Sequence, residues 1–176
     1  MEGEADLTTN AGSVTMLDTS DNGNDNYKFG MSSYDIFPKG DVTVEIGFSL
    51  SVAGSGSSLL FVYLDSNNYF YIQITGATRD ITVGHRGDGA TVVSNTFDVN
   101  VTLEAAHTIV VKCSTVNGMS LTYDGGAAIV DDTKDITVMT NAGSGTSALI
   151  VGNDQAVNME GTIDYVRISA GWRTDI

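Results

Sequence analysis

Apolar and polar positions alternate most plainly from Asp41 onward. In Asp41-Val42-Thr43-Val44-Glu45-Ile46-Gly47-Phe48-Ser49-Leu50, the residues Val42, Val44, Ile46, Phe48 and Leu50 recur at every second position. Successive strand side chains point to opposite faces, so this stretch predicts a strand with one buried face. Residues 59–64 and 69–75 flank Asp65-Ser66-Asn67-Asn68, whose turn-forming side chains predict a hairpin loop. Further short strands are expected at 81–83, 90–93, 108–113, 119–123, 127–130, 136–139, 148–151 and 162–168. Gly84-His85-Arg86-Gly87-Asp88-Gly89, Asn117-Gly118 and Asp124-Gly125-Gly126 read as the turns between them. Many short strands punctuated in this way predict an all-β sandwich or barrel. No window sustains a helical period, and no repeat of a propeller or solenoid is present. Residues 1–26 are largely polar, with a short apolar patch at Val14 and Met16, and read as an arm or edge strand, open to docking on a neighbour. Residues 27–176 form the sandwich domain.

Composition sharpens this picture. The chain has 176 residues, enough for one domain with a proper core. Its 20 glycines against a single proline, Pro38, suit many tight turns. A net charge of −14 argues against nucleic-acid backbones and anionic membrane surfaces as partners, because both require clustered cations. The acidic start, Met1-Glu2-Gly3-Glu4-Ala5-Asp6, is followed by no apolar segment, so no signal peptide or membrane span is expected. Cys113 is the only cysteine and lies in an apolar run, where a buried, inert thiol is expected.

Five segments in order carry a family resemblance: Gly40-Asp41-Val42-Thr43-Val44-Glu45-Ile46, Glu104-Ala105-Ala106-His107-Thr108-Ile109-Val110-Val111, Met119-Ser120-Leu121-Thr122-Tyr123-Asp124-Gly125-Gly126, Leu149-Ile150-Val151-Gly152 and Gly161-Thr162-Ile163-Asp164-Tyr165-Val166-Arg167-Ile168. Together they resemble the strand and turn order of laminin-G-like domains. The resemblance implies a two-sheet antiparallel jelly-roll sandwich of the concanavalin A-like type. The ending Ile163-Asp164-Tyr165-Val166-Arg167-Ile168-Ser169-Ala170-Gly171 is also similar to laminin-G-like domains of bacteriophage structural proteins. That likeness implies a virion component assembled in the host cytoplasm, a capsid decoration or tail-associated protein. Its partners would be other virion proteins or further copies of itself.

The candidate chemistry is that of binding. Glucanases of this superfamily carry paired carboxylates about 5 Å apart, and no Glu-x-Asp-x-x-Glu set occurs here. Glu160 and Asp164 on one strand would stand roughly 13 Å apart. His85 and His107 lack an accompanying nucleophile motif. The chain therefore reads as no enzyme. In the predicted hairpin, Phe70, Ile72 and Ile74 share one face and leave Tyr69, Tyr71 and Gln73 on the other. Phe61 and Tyr63 are expected opposite these tyrosines, an aromatic surface for stacking on sugar rings or for a protein partner. The alternative to the virion reading is accordingly a lectin-like module for a host or environmental polysaccharide. No cofactor is required. The one candidate is Ca²⁺, for which Asp18, Asp21 and Asp25 offer hard oxygen ligands without the EF-hand pattern. Asp131, Asp132 and Asp135 form a second acidic loop, for which turn formation is the expected role. Arg86-Gly87-Asp88 is read as a coincidence of turn composition, and the glycosylation sequon Asn100-Val101-Thr102, with no secretion signal expected, as unused.

Overall fold

The computed structural model describes residues 38–51, 57–140, 148–152, 159, 161–174 and 176, and places 8–10, 13–15 and 27–30 as strands. The strands are β1 (Thr8–Asn10), β2 (Ser13–Thr15), β3 (Tyr27–Gly30), β4 (Val42–Leu50), β5 (Ser57–Asp65), β6 (Asn68–Ile74), β7 (Ile81–Arg86), β8 (Val93–Phe97), β9 (Ala106–Cys113), β10 (Met119–Tyr123), β11 (Ile129–Asp131), β12 (Ala148–Val151) and β13 (Gly161–Ala170). The described residues contain no helix. One sheet has seven strands in the order β1-β2-β13-β4-β9-β10-β11, and the other has six in the order β3-β12-β5-β6-β7-β8. Every pairing is antiparallel. Strands β5 to β8 form a meander in one sheet, β9 to β11 form another opposite, and β12 and β13 return to each sheet in turn. This is a jelly-roll sandwich.

Alternation explains the two layers. On β4 the five residues Val42, Val44, Ile46, Phe48 and Leu50 all face the core and are essentially unexposed. They meet Leu60, Val62 and Leu64 of β5 and Phe70, Ile72 and Ile74 of β6 across the sandwich. Fully burying side chains of this size contributes roughly 1.5–3 kcal/mol each. Cys113 closes the same core, and burial pushes its thiol well above the ordinary range.

Three expectations need correction. The segment Gly84-His85-Arg86 is no turn but the end of β7, paired with Tyr71, Phe70 and Tyr69 of β6. The strand expected at 90–93 begins only at Val93 and runs to Phe97. Residues 136–139 are no strand. There Ile136 and Met139 are buried three positions apart, with Thr137 and Val138 exposed between them, so the period of two fails. This stretch instead straps one end of the sandwich. Ile136 N–H donates to the Ser114 carbonyl (2.9 Å) and Met139 N–H to that of Lys39 (2.8 Å). Thr140 N–H donates to Asn68 Oδ1 at 3.0 Å, and its hydroxyl to Asp88 Oδ1 at 2.9 Å. At the edges, β1 and β2 lie beyond β13, and β3 lies beside β12.

Candidate functional site

The register of β5 and β6 sets Phe61 opposite Tyr71 and Tyr63 opposite Tyr69. Core-facing Val62, Phe70 and Ile72 alternate with them, so all four rings stand on the outer face of the six-stranded sheet. Phe61 and Tyr63 have ring centroids 6.1 Å apart at 22°, and Tyr69 and Tyr71 are 6.5 Å apart at 24°. Phe61 and Tyr69 meet diagonally at 6.4 Å. The result is a two-by-two array of half-buried rings, each shielding its neighbours. The tyrosine surface expected from the sequence is thus assembled, with Gln73 one pleat further along β6.

The array is seated by a residue whose role sequence pattern alone does not show. Gly84 pairs with Tyr71, and a Cβ there would overlap the Tyr71 ring. Glycine lets that ring lie down on β7. Burial, with Tyr69 alongside, raises the Tyr71 pKa against an opposing hydrogen bond with Ser94. Polar groups flank the rings. Thr82 and Thr96 share a hydroxyl hydrogen bond of 2.8 Å on the Gln73 side. Arg86, opposite Tyr69, donates to the carbonyls of Ser66 (2.8 Å) and Ala90 (2.9 Å). The Arg86-Gly87-Asp88 tripeptide is therefore occupied within the fold: Asp88 N–H donates to Asn68 Oδ1, and a Cβ on Gly87 would overlap the Thr137 carbonyl.

Other candidates resolve differently. Asp18, Asp21 and Asp25 lie outside the described residues, as does Glu160. Among the described residues no three His, Cys, Asp or Glu side chains converge as a metal site requires. Asp131 accepts from the Thr133 backbone at 3.0 Å and from its hydroxyl at 2.6 Å, and Asp135 accepts from Gly118 N–H at 2.9 Å. These carboxylates cap turns. His107 sits 2.8 Å from Asp124 Oδ2 through Nδ1 and 3.0 Å from the Thr102 hydroxyl through Nε2. That spacing mimics a base between an orienting acid and a nucleophile. However, Nδ1 also lies 2.7 Å from the Tyr123 hydroxyl and Nε2 lies 2.9 Å from the Thr102 carbonyl. The ring is buried against Phe48 and Tyr123. With both nitrogens engaged and the ring packed away, the cluster fastens the connection entering β9 to the end of β10.

A depression of about 450 Å³ opens away from the aromatic array, at one end of the seven-stranded sheet. Ser49, Thr162, Glu104 and Asp164 contribute its polar lining. Asp164 stands where the β13–β4 register shifts between Ile163 and Tyr165, so a β-bulge turns its carboxylate out to solvent.

No protein family and no curated protein matches the sequence. Solved structures do. The CBM40 of a Ruminococcus gnavus IT-sialidase bound to α2,3-sialyllactose is 17% identical, with a TM-score of 0.64 over 84% of this chain and 88% of that one. Domain 4 of AbnA, a GH43 extracellular arabinanase from Geobacillus stearothermophilus in complex with arabinotriose, is 11% identical, with a TM-score of 0.65 over 96% and 76%. Domains LG4-5 of the mouse laminin alpha1 chain are 11% identical, with a TM-score of 0.59 over 97% and 44%. The fold is a laminin-G-like, concanavalin A-like jelly roll. The resemblance carried by the five sequence segments holds at the level of fold, and identities this low reach no further.

Proposed function

We propose that this jelly roll is a non-catalytic carbohydrate-binding module, with sugar engaged on the outer face of the six-stranded sheet. The observation that carries the reading is the array of Phe61, Tyr63, Tyr69 and Tyr71. The C–H face of a sugar ring is apolar with slightly positive hydrogens, and the face of an aromatic ring is electron-rich, so the two stack. Ser94, Thr82, Thr96 and Gln73 stand along the same face, where hydroxyl and amide groups set orientation. Two of the similar structures carry oligosaccharides, sialyllactose and arabinotriose. These likenesses favour the carbohydrate alternative over the virion role implied by the sequence resemblance.

A glycan array with the whole chain, followed by calorimetry on the hits, tests this. Tyr69→Ala and Tyr71→Ala are each expected to weaken binding about two- to tenfold, from a stacking contribution of about 0.5–1.5 kcal/mol per ring. Binding indifferent to both substitutions, or no glycan bound at all, would overturn the proposal.

A further inference from the structure

The aromatic array has a direction, and strand register fixes it. Phe61 of β5 is opposite Tyr71 of β6, Tyr71 is opposite Gly84 of β7, and Gly84 is opposite Ser94 of β8. These four positions form one row across the strands on the outer face. The row is about 14 Å long, from three inter-strand steps of about 4.8 Å. Tyr71 carries the apolar surface across β7. Its ring occupies the space a side chain at position 84 would take, and its hydroxyl hydrogen-bonds with Ser94. Glycine at the third position thus turns two ring-bearing strands into a floor that spans three.

The surroundings channel this floor toward one edge. At the hairpin end, Arg86 reaches from β7 to the Ser66 carbonyl in the β5–β6 turn, 2.8 Å away, so the guanidinium closes the array at that turn. Toward β12, Ile150 and Ala148 stand opposite Phe61 and Tyr63 on the same face, yet each is only 1% exposed. The face is covered there. The open surface therefore begins at β5 and leaves over β8, the outermost strand of the sheet.

The two long sides of the row differ. On one side Tyr63 and Tyr69 widen the floor. On the other, two residues along each strand, Gln73, Thr82 and Thr96 stand side by side. The Thr82 and Thr96 hydroxyls are 2.8 Å apart, and one donates to the other. The pair keeps one hydroxyl hydrogen and several lone pairs for a ligand.

An aromatic floor with a hydroxyl border selects a shape of sugar chain. A pyranose whose hydroxyls are all equatorial has apolar C–H faces above and below and points its hydroxyls sideways. Joined through equatorial bonds, such rings make an extended chain in which each ring can lay a face on one floor. An axial hydroxyl lifts a ring off, and an axial linkage curves the chain away. The floor is flat enough for the extended form, since ring neighbours along β5 and β6 are tilted by only 22° and 24°.

We infer that the ligand is an extended oligosaccharide with equatorial hydroxyls and linkages, lying across β5 to β8. Its apolar faces rest on Phe61 and Tyr71, and its ring-edge hydroxyls meet Thr82 and Thr96. The inference rests on the stacking role proposed for the array and adds to it the direction and class of the chain.

Calorimetry of the whole chain tests it, with cello- and xylo-oligosaccharides from monosaccharide to hexasaccharide against malto-oligosaccharides of the same lengths. In at least one equatorial series, affinity is expected to rise about two- to tenfold with each added residue, one net hydrogen bond apiece, and to level off at about three residues, when the row is filled. The malto-oligosaccharide of equal length, whose linkage is axial, is expected to bind about tenfold or more weakly. Thr96→Val removes the outer hydroxyl at an exposed position and keeps the β-branched shape, so the variant is expected to fold, as thermal melting checks. It is expected to bind the longest member about two- to tenfold more weakly and to flatten the dependence on length. Equal affinity for monosaccharide and hexasaccharide, malto-oligosaccharides bound as tightly, or a length dependence untouched by Thr96→Val would each overturn the inference. Binding of a different glycan, weakened by Tyr69→Ala and Tyr71→Ala but without response to either equatorial series, would overturn it while leaving the stacking reading intact. A protein that binds no glycan would overturn both.

Discussion

Replacing His85 by leucine isolates an acid-sensitive element of the core. His85 points inward from β7, is 1% exposed, and packs edge-on against Phe70 with ring centroids 6.4 Å apart. Neither ring nitrogen hydrogen-bonds to the described residues. Burial without a partner disfavours the charged imidazolium and lowers the pKa from 6.5 to about 4. As pH falls, the unfolded chain takes up this proton first. The contribution is therefore fully present above pH 6.5 and is lost progressively down to about pH 4, where the folded protein protonates too. Linkage makes the loss about 2 kcal/mol near pH 5 and about 3 kcal/mol near pH 4. Asp41, Asp80 and Asp131 have pKa values lowered from 3.8, so their contributions fade below this window. Relief of repulsion in a chain of net charge −14 is shared by both proteins and cancels in the difference. Urea unfolding of wild type and His85→Leu between about pH 4 and pH 7.5 measures that difference. The variant is expected to gain steadily on the wild type as pH falls, on top of a constant offset from repacking. Parallel stability curves across the window would refute the reasoning.

Two further outcomes follow from single contacts. Gly84→Ala would push the Tyr71 ring off β7, and calorimetry is expected to show glycan affinity falling about two- to tenfold for a stability cost of roughly 1–3 kcal/mol. At Asp41, burial raises the carboxyl pKa, but bonds from Thr115 N–H (2.7 Å), the Ser114 hydroxyl (3.0 Å) and the Thr115 hydroxyl (3.0 Å) outweigh it and hold the group below its usual range. Asp41→Ala is expected to destabilise by about 1–3 kcal/mol in urea unfolding at neutral pH. Protonation of wild-type Asp41 should reproduce that loss only below about pH 3.8.

Legibility along the chain followed the range of the interactions concerned. The outward set Phe61, Tyr63, Tyr69, Tyr71 and Gln73 was readable because strand alternation is local, and a tight hairpin fixes the register of its own two strands. The end of β7 was misread because Gly84 is a turn former by propensity, whereas here it makes room for a ring on the next strand. Residues 136–139 looked like a strand because apolar residues lie close together. Their backbone groups in fact bond to Ser114 and Lys39, loops distant in sequence, so no ladder forms. His107 was legible only as a lone histidine, because its partners Thr102, Tyr123 and Asp124 converge through the β9–β10 pairing.

The sequence by itself determined the strand class, most strand positions, the inward and outward faces of β4 to β6, and hence the aromatic surface. These depend on period-two patterning and turn chemistry, which act over a few residues. The tertiary structure alone decided which strands are neighbours. Glu45 and Arg167 are 122 positions apart, and nothing in their local sequence announces that β13 lies against β4. Pairing between distant strands is set by how the two apolar faces close over a shared core, a property of the whole chain. The acidic lining of the depression and the Glu45–Arg167 pair of the seven-stranded sheet are products of that closure.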